Sequence, residues 1–136
     1  MPRTPIPSEL ADALRKPNQC VVATIRPNGE LSTAATWYEY DADGRFLLNM
    51  DASRARMAHL RNDPRVALTI FAGDDWYSHL SVSGDVVEFR RDEDMADIDR
   101  ISRHYTGERY GDRDRDSWTV VIEVSHWHGW GSLAAG

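Results

Sequence analysis

The stretch Asp51-Ala-Ser-Arg-Ala-Arg-Met-Ala-His-Leu-Arg-Asn-Asp-Pro-Arg-Val66 joins two strand-like runs, Phe46 to Met50 and Val66 to Phe71, and predicts one short helix between them. Ser53 is a suitable N-cap, because its hydroxyl can accept from an orphaned N–H of the first turn. Arg54 and Arg56 fall in that first turn, where the helix dipole is positive and cations are disfavoured. An anion held between them reverses that disadvantage: free N–H groups, dipole and guanidinium forks together form a phosphate site. The helix stops near Asn62, since Pro64 pushes Asp63 out of the α region. The alternative is a surface helix with solvated arginines. The chain has 15 Arg and one Lys, so some clustering of Arg follows from composition alone.

Outward from this stretch, 136 residues suffice for one domain with a proper core. An apolar share of 41%, with five Trp, five Tyr and three Phe, places the chain among globular proteins. The net charge of −6 argues against a general nucleic-acid or anionic-membrane binder, which needs a basic footprint. An acidic chain with a local basic segment suggests a small anionic ligand instead. The one cysteine, Cys20, allows no internal disulfide and no cysteine zinc cluster, and sits in an apolar run as a small hydrophobe. With no apolar signal core and no run approaching a membrane span, a cytoplasmic protein is expected.

In chain order, residues 1–7 carry three prolines and read as an irregular arm, after which Ser8 caps a short helix that Pro17 and Asn18 end. Cys20 to Ile25 is a near-continuous apolar run, the mark of a strand covered on both faces. Asn28-Gly29 makes a hairpin turn, and Leu31 to Asp41 is the return strand. Its small residues Ala34, Ala35 and Thr36 reflect tight sheet packing or leave room for a flat ligand. Arg45 to Met50 is a third strand and Val66 to Phe71 a fourth. Trp76 to Arg90 is a long fifth strand, in which the apolar parity changes after Gly84, from Leu80 and Val82 to Val87 and Phe89. A glycine at such a switch suggests a bulge or a barrel corner. Asp92 to His104 reads as the longest helix, with Met95, Ile98, Ile101 and Tyr105 on one face and Gly107 as its stop. Glu108 to Ser117 is charged and reads as a mobile loop. Trp118 to Trp127 is a sixth strand, and residues 129–136 show no pattern. Six strands joined mostly by hairpins, with three helices at the connections, favour a mainly β, antiparallel barrel over a doubly wound sheet.

In this order the elements resemble the split-barrel flavin and deazaflavin oxidoreductases, the pyridoxamine 5′-phosphate oxidase-like superfamily, from about Leu10 to Gly131. The resemblance is carried by Val21-Val22-Ala23-Thr24-Ile25 followed by Asn28-Gly29, by Trp37-Tyr38, by Ser53-Arg54-Ala55-Arg56, and by Val82-Ser83-Gly84-Asp85-Val86. His59-Leu60-Arg61-Asn62-Asp63-Pro64-Arg65-Val66 adds the family's Asp-Pro-Arg-Val run, its most specific piece. Within the superfamily the pattern is most similar to the branch that uses the deazaflavin coenzyme F420. That branch carries a basic pair at the positions of Arg54 and Arg56, the second often Lys, and commonly an Asn where this chain has His59. Arg for Lys keeps the charge and gains a bidentate fork. The resemblance implies a homodimer with the cofactor in a groove between subunits. It implies that Ser53, Arg54, Arg56 and His59 hold the phosphate, and that Ser32, Thr33, Ala34, Ala35 and Thr36 line the rings.

If a deazaflavin binds, the chemistry is hydride transfer to an electron-poor small molecule, with the cofactor carrying the reaction and the protein positioning it. No acid–base dyad is legible, which agrees with this division of labour. Tyr38, Trp76 and Tyr77 are candidates for a substrate wall, against the alternative of core or interface aromatics. His126 and His128 lack a third ligand at useful spacing, so no metal is expected. Two other readings stand beside the F420 one: the same fold using FMN, and a non-catalytic module binding flavin or haem for storage or sensing.

Overall fold

The computed structural model describes residues 5–134. Strand β1 (Cys20–Ile25) buries alternate residues, Cys20, Val22 and Thr24, and leaves Val21, Ala23 and Ile25 half-covered. Its apolar run therefore serves one face more than the other. Hairpin partner β2 (Leu31–Thr36) is followed by β3 (Glu39–Tyr40) and β4 (Phe46–Asp51). Helix α1 (Ala11–Leu14) precedes them, entered through a 3-10 turn over Ser8–Leu10 whose cap position is Pro7 rather than Ser8. Helix α2 (Ala55–Asn62) leads to β5 (Arg65–Phe71), then β6 (His79–Arg91), α3 (Ala96–Thr106) and β7 (Ser117–Trp130).

The seven strands form one antiparallel sheet in the order β2-β1-β5-β6-β7-β4-β3. The two edge strands, β2 and β3, are neighbours in sequence, with only Trp37 and Tyr38 between them. Two residues cannot bridge the width of a flat sheet at about 4.8 Å per strand. The sheet must therefore curl until its edges approach, and the result is a split barrel with its seam at Trp37–Tyr38. This break makes seven strands where six were expected. Its cause is Tyr38, which leaves the strand and turns into the core at 2% exposure. There its hydroxyl donates to the Leu14 carbonyl and accepts from Asn18 Nδ2.

The core inside the curl is built from Phe46, Leu48, Ile70, Leu80, Val82 and Ile122, all at most 1% exposed. Each such side chain contributes about 1.5–3 kcal/mol through burial. β6 and β7 pair along nearly their whole length through two bulges. At the first, Ser83 pairs with His126 and Gly84 with Val124, leaving Ser125 as the extra residue. At the second, Val86 pairs with Ile122 and Glu88 with Val121, leaving Val87 extra. The parity change expected at Gly84 thus falls three residues later. Val86 stays inside, Val87 is 51% exposed, and Phe89 packs against the core.

Helix α3 starts later than expected. A 3-10 turn over Glu93–Met95 comes first, with Asp94 and Met95 in the left-handed region. The buried Asp92 carboxylate accepts the N–H groups of Asp97 (2.7 Å) and Ile98 (2.9 Å) and so satisfies the helix start. Gly107, at φ 85°, ends the helix as its position predicts. The unpatterned tail forms a short turn over Gly131–Leu133 that seats Leu133 in the core. Among the described residues no helix is long and apolar enough to cross a membrane.

Candidate functional site

A cleft of about 610 Å³ opens beside the Trp37 seam. Its basic end is assembled from two places in the chain: Arg54 and Arg56 at the start of α2, and Arg115 from the loop before β7. Among the described residues the one carboxylate in its lining is Asp51.

The local chain path explains this end. β4 finishes at Asp51, whose carbonyl accepts the Arg54 N–H at 3.0 Å and turns the chain into the helix. Ser53 does not cap α2. Its hydroxyl and its N–H both bind the Asp51 carboxylate. The cap position is Arg54, in extended backbone (φ −65°, ψ 138°), and no side chain accepts the first-turn N–H groups there. The Ser53 hydroxyl, with the Ser53 and Asp116 N–H groups, holds the Asp51 carboxyl below its usual range, so it is ionised. Three arginines against one carboxylate leave the end net positive.

Arg56 Nε and Arg115 Nε are both buried with no hydrogen-bond partner among the described residues. A buried donor left unpaired costs about 1–3 kcal/mol, more when charged. Burial, and then the charge of Arg54, lower the Arg56 pKa, though a guanidinium stays cationic at neutral pH.

The rest of the cleft mixes aromatic and aliphatic side chains with the amides of Asn18, Gln19 and Asn49. Trp37 stacks on Tyr105 at 5.2 Å between ring centroids, and Tyr110 meets Trp37 edge-on at 6.2 Å. The Tyr105 hydroxyl donates to the Asn18 carbonyl at 2.6 Å. Burial raises the pKa of this phenol, so it stays neutral. Cys20 and Met50 reach the cleft from the sheet, Ile98 and Ile101 from α3. Burial pushes the Cys20 thiol up to about 12, so it behaves as a small hydrophobe. The site can bind and orient a flat, anionic ligand.

Of the residues expected at a site, Arg54, Arg56, Ala35 and Thr36 line the cleft, whereas Ser32, Thr33 and Ala34 do not. The register explains the division. The cleft lies at the end of the hairpin where Thr36 faces Cys20 and Ala35 faces Val21. Each residue back along β2 is about 3.4 Å further away. His59 lies about 4.5 Å further along the helix axis than Arg56. It is buried against β1, with Nδ1 2.8 Å from the Thr24 hydroxyl. The substrate-wall residues fall elsewhere too. Tyr38 is a core residue, and Trp76 and Tyr77 are 76% and 57% exposed on a turn pinned by Asp75. β6 accordingly starts at His79, not Trp76. His128 packs edge-on to Trp130, which stacks on His79.

Arg115, Tyr110 and Tyr105 were not singled out as site residues from sequence. Arg115 stands in the run Asp112-Arg-Asp-Arg-Asp116, which reads as a solvated loop and gives no local signal. In the fold that loop is tied down: Arg113 forms an ion pair with Asp99 at 2.7 Å, and Asp99 also accepts the Tyr110 N–H.

Residues 6–131 match the protein family described as pyridoxamine 5′-phosphate oxidase. No curated protein matches the chain. Among solved structures, an F420 reductase superposes with a TM-score of 0.81 at 22% identity, over 90% of this chain and 98% of its own. A conserved hypothetical protein from Mycobacterium tuberculosis is 26% identical, with a TM-score of 0.68 over 96% of this chain and 89% of its own. HupZ from Group A Streptococcus is 15% identical, with a TM-score of 0.68 over 96% and 99%.

Proposed function

The chain belongs to the pyridoxamine 5′-phosphate oxidase family, a family of flavin-binding oxidoreductases, and from that premise we propose that it is an oxidoreductase using the deazaflavin coenzyme F420. The cofactor sits in the Trp37 cleft, completed by a second copy of the chain, and the substrate is an electron-poor small molecule. The observation that carries this reading is the gathering of Arg54, Arg56 and Arg115 at one end of a cleft walled by the stacked rings of Trp37 and Tyr105. The residues present fit a planar ring bearing an anionic tail. F420 is favoured over FMN by the structural similarity to an F420 reductase and by the resemblance of the Arg54–Arg56 segment to the F420 branch.

When bound, the reduced deazaflavin would supply a hydride, leaving its ring oxidised by two electrons and the acceptor reduced once a solvent proton is added. The protein's own part is placement. Arg54, Arg56 and Arg115 neutralise and orient the phosphate. Ala35 and Thr36 leave room over the hairpin end for a ring. Trp37, Tyr105, Ile98 and Ile101 keep water from one side of it. The Tyr105 hydroxyl, committed to the Asn18 carbonyl, takes no part in proton transfer.

The test is a side-by-side fluorescence titration with F420 and FMN on protein of known sedimentation mass. Affinity for F420 at least about tenfold above FMN, a difference of about 1.4 kcal/mol, is expected in a dimer. Tighter FMN binding moves the protein to the flavin branch. Binding of neither removes the oxidoreductase reading, and full affinity in a monomer removes the second copy from it.

A further inference from the structure

We infer that Asn18 is a positioning residue for the aromatic half of the cleft. It fixes Tyr105, and through Tyr105 the Trp37 ring, so that the connection between α1 and β1 sets the gap into which a planar ligand must fit. That a ring occupies this gap rests on the oxidoreductase reading; the hold of Asn18 on the wall does not.

Asn18 follows Pro17 in the connection from α1 to β1 and is 6% exposed in the cleft lining. Its Nδ2 donates to the Ala13 carbonyl at 2.7 Å and to the Tyr38 hydroxyl at 2.9 Å. Its Oδ1 accepts the Gly73 N–H at 3.4 Å, from the turn between β5 and β6. The backbone is engaged as well. The Asn18 N–H donates to the Lys16 carbonyl, and the Asn18 carbonyl accepts the Tyr105 hydroxyl at 2.6 Å. The side-chain amide has one orientation. Tyr38 gives its own proton to the Leu14 carbonyl and so must accept from Asn18, and the Ala13 carbonyl can only accept. A buried polar group with all its partners supplied is rigid. The carbonyl that Tyr105 binds is therefore a fixed point, anchored to α1, to the seam and to the β5–β6 turn.

What this point holds is the wall. Trp37 stands in the break between β2 and β3, and among the described residues its indole makes no hydrogen bond. Its pose depends on ring contacts: Tyr105 stacks on it with the planes 15° apart, and Tyr110 meets it edge-on. The stack places Trp37 only as firmly as Tyr105 is placed. Tyr105 lies in the last turn of α3, where backbone carbonyls run out of partners and a helix frays. The tie is its hydroxyl, which donates to the Asn18 carbonyl and accepts the Tyr38 N–H at 3.4 Å.

The full chain is compared with Asn18→Ala, with Tyr105→Phe, which keeps the ring and deletes the tie, and with the two combined. Riboflavin reports on the aromatic half, inorganic pyrophosphate on the basic end, and thermal unfolding on stability. Asn18→Ala is expected to weaken riboflavin binding by about tenfold, with pyrophosphate affinity within about twofold of wild type. Tyr105→Phe should give a similar riboflavin loss, and the double variant little more than either alone, because both cut the same path. Tyr105→Phe carries the test if Asn18→Ala does not fold. Equal losses for the two ligands, losses that add in the double variant, or an unchanged riboflavin affinity would overturn the role of Asn18. A ligand-free measurement stands beside these. The part of the near-ultraviolet circular dichroism that Trp37→Leu removes should also be lost in Asn18→Ala and in Tyr105→Phe, and its survival in the folded variants would overturn the role as well. Loss of that signal, in a protein that binds neither F420 nor FMN, would keep Asn18 as the holder of the wall and remove the oxidoreductase reading.

Discussion

Arg56 is more costly to the free protein than its neighbour Arg54, because its Nε lies buried without an acceptor. Replacing Arg54 and Arg56 together with Ala is predicted to weaken F420 binding by about 2–5 kcal/mol, the worth of two charge-assisted contacts. Fluorescence titration reads the affinity, and far-ultraviolet circular dichroism checks that the fold is retained. Unchanged affinity in a folded double variant would sink the assignment of the phosphate end. Arg54 and Arg56 were legible in sequence because they are near neighbours and their chemistry is explained by one local feature, a helix start. The surroundings of His59 were not legible by the same local reasoning, since only the packing of α2 on β1 brings Thr24 to its ring. Arg115 was invisible for the converse reason: its partner Asn49, and the Arg56 that shares the cleft lining with it, come from distant parts of the chain.

The long β6–β7 ribbon shows what an element takes from one residue. An added Cβ at Gly84 would lie 2.2 Å from the Glu123 carbonyl oxygen, a backbone atom that cannot swing aside. Gly84→Ala should therefore displace β7 at the first bulge and destabilise the protein by about 1–3 kcal/mol, the usual cost of overpacking. For a chain of this size that is a fall of several degrees in melting temperature. Calorimetry checks it, and a melting temperature equal to wild type would show that the close approach is not a constraint. The presence of a glycine at a parity switch was readable from the residue pattern. Which residues become the extra ones, Ser125 and Val87, was not, because a bulge is decided by both strands. Similarly, Asp92 announces a helix start, but not the turn in left-handed backbone that lets it reach Asp97 and Ile98.

Across the whole molecule, acid is expected to loosen the barrel through Asp97, which ties α3 to the sheet. Burial alone would raise its pKa. The Thr119 hydroxyl and the charges of Arg90 and Arg100 outweigh burial and bring it below the ordinary carboxylate value. The native state thus binds this proton less readily than the unfolded chain, so the contribution is present above about pH 4 and is lost as pH falls through the native value. The melting temperature should decline below that pH. The gap between wild type and Asp97→Asn should narrow as pH drops, and a gap that held constant would remove Asp97 from the acid response. At this scale the division between sequence and structure is plain. Hydrophobic alternation, the Asn-Gly turn and the Asp-Pro boundary are local, and they determined the strands, the connecting helices and the basic pair at the start of α2. Closure was decided only in three dimensions. Tyr38 breaks a strand because its hydroxyl finds Leu14 and Asn18 across the core, and that break lets two edge strands meet at a seam. The third arginine reaches the cleft because the same curl brings the loop before β7 beside β4 and the start of α2. No short stretch of residues encodes such a juxtaposition, since it depends on which distant surfaces the sheet must bury together.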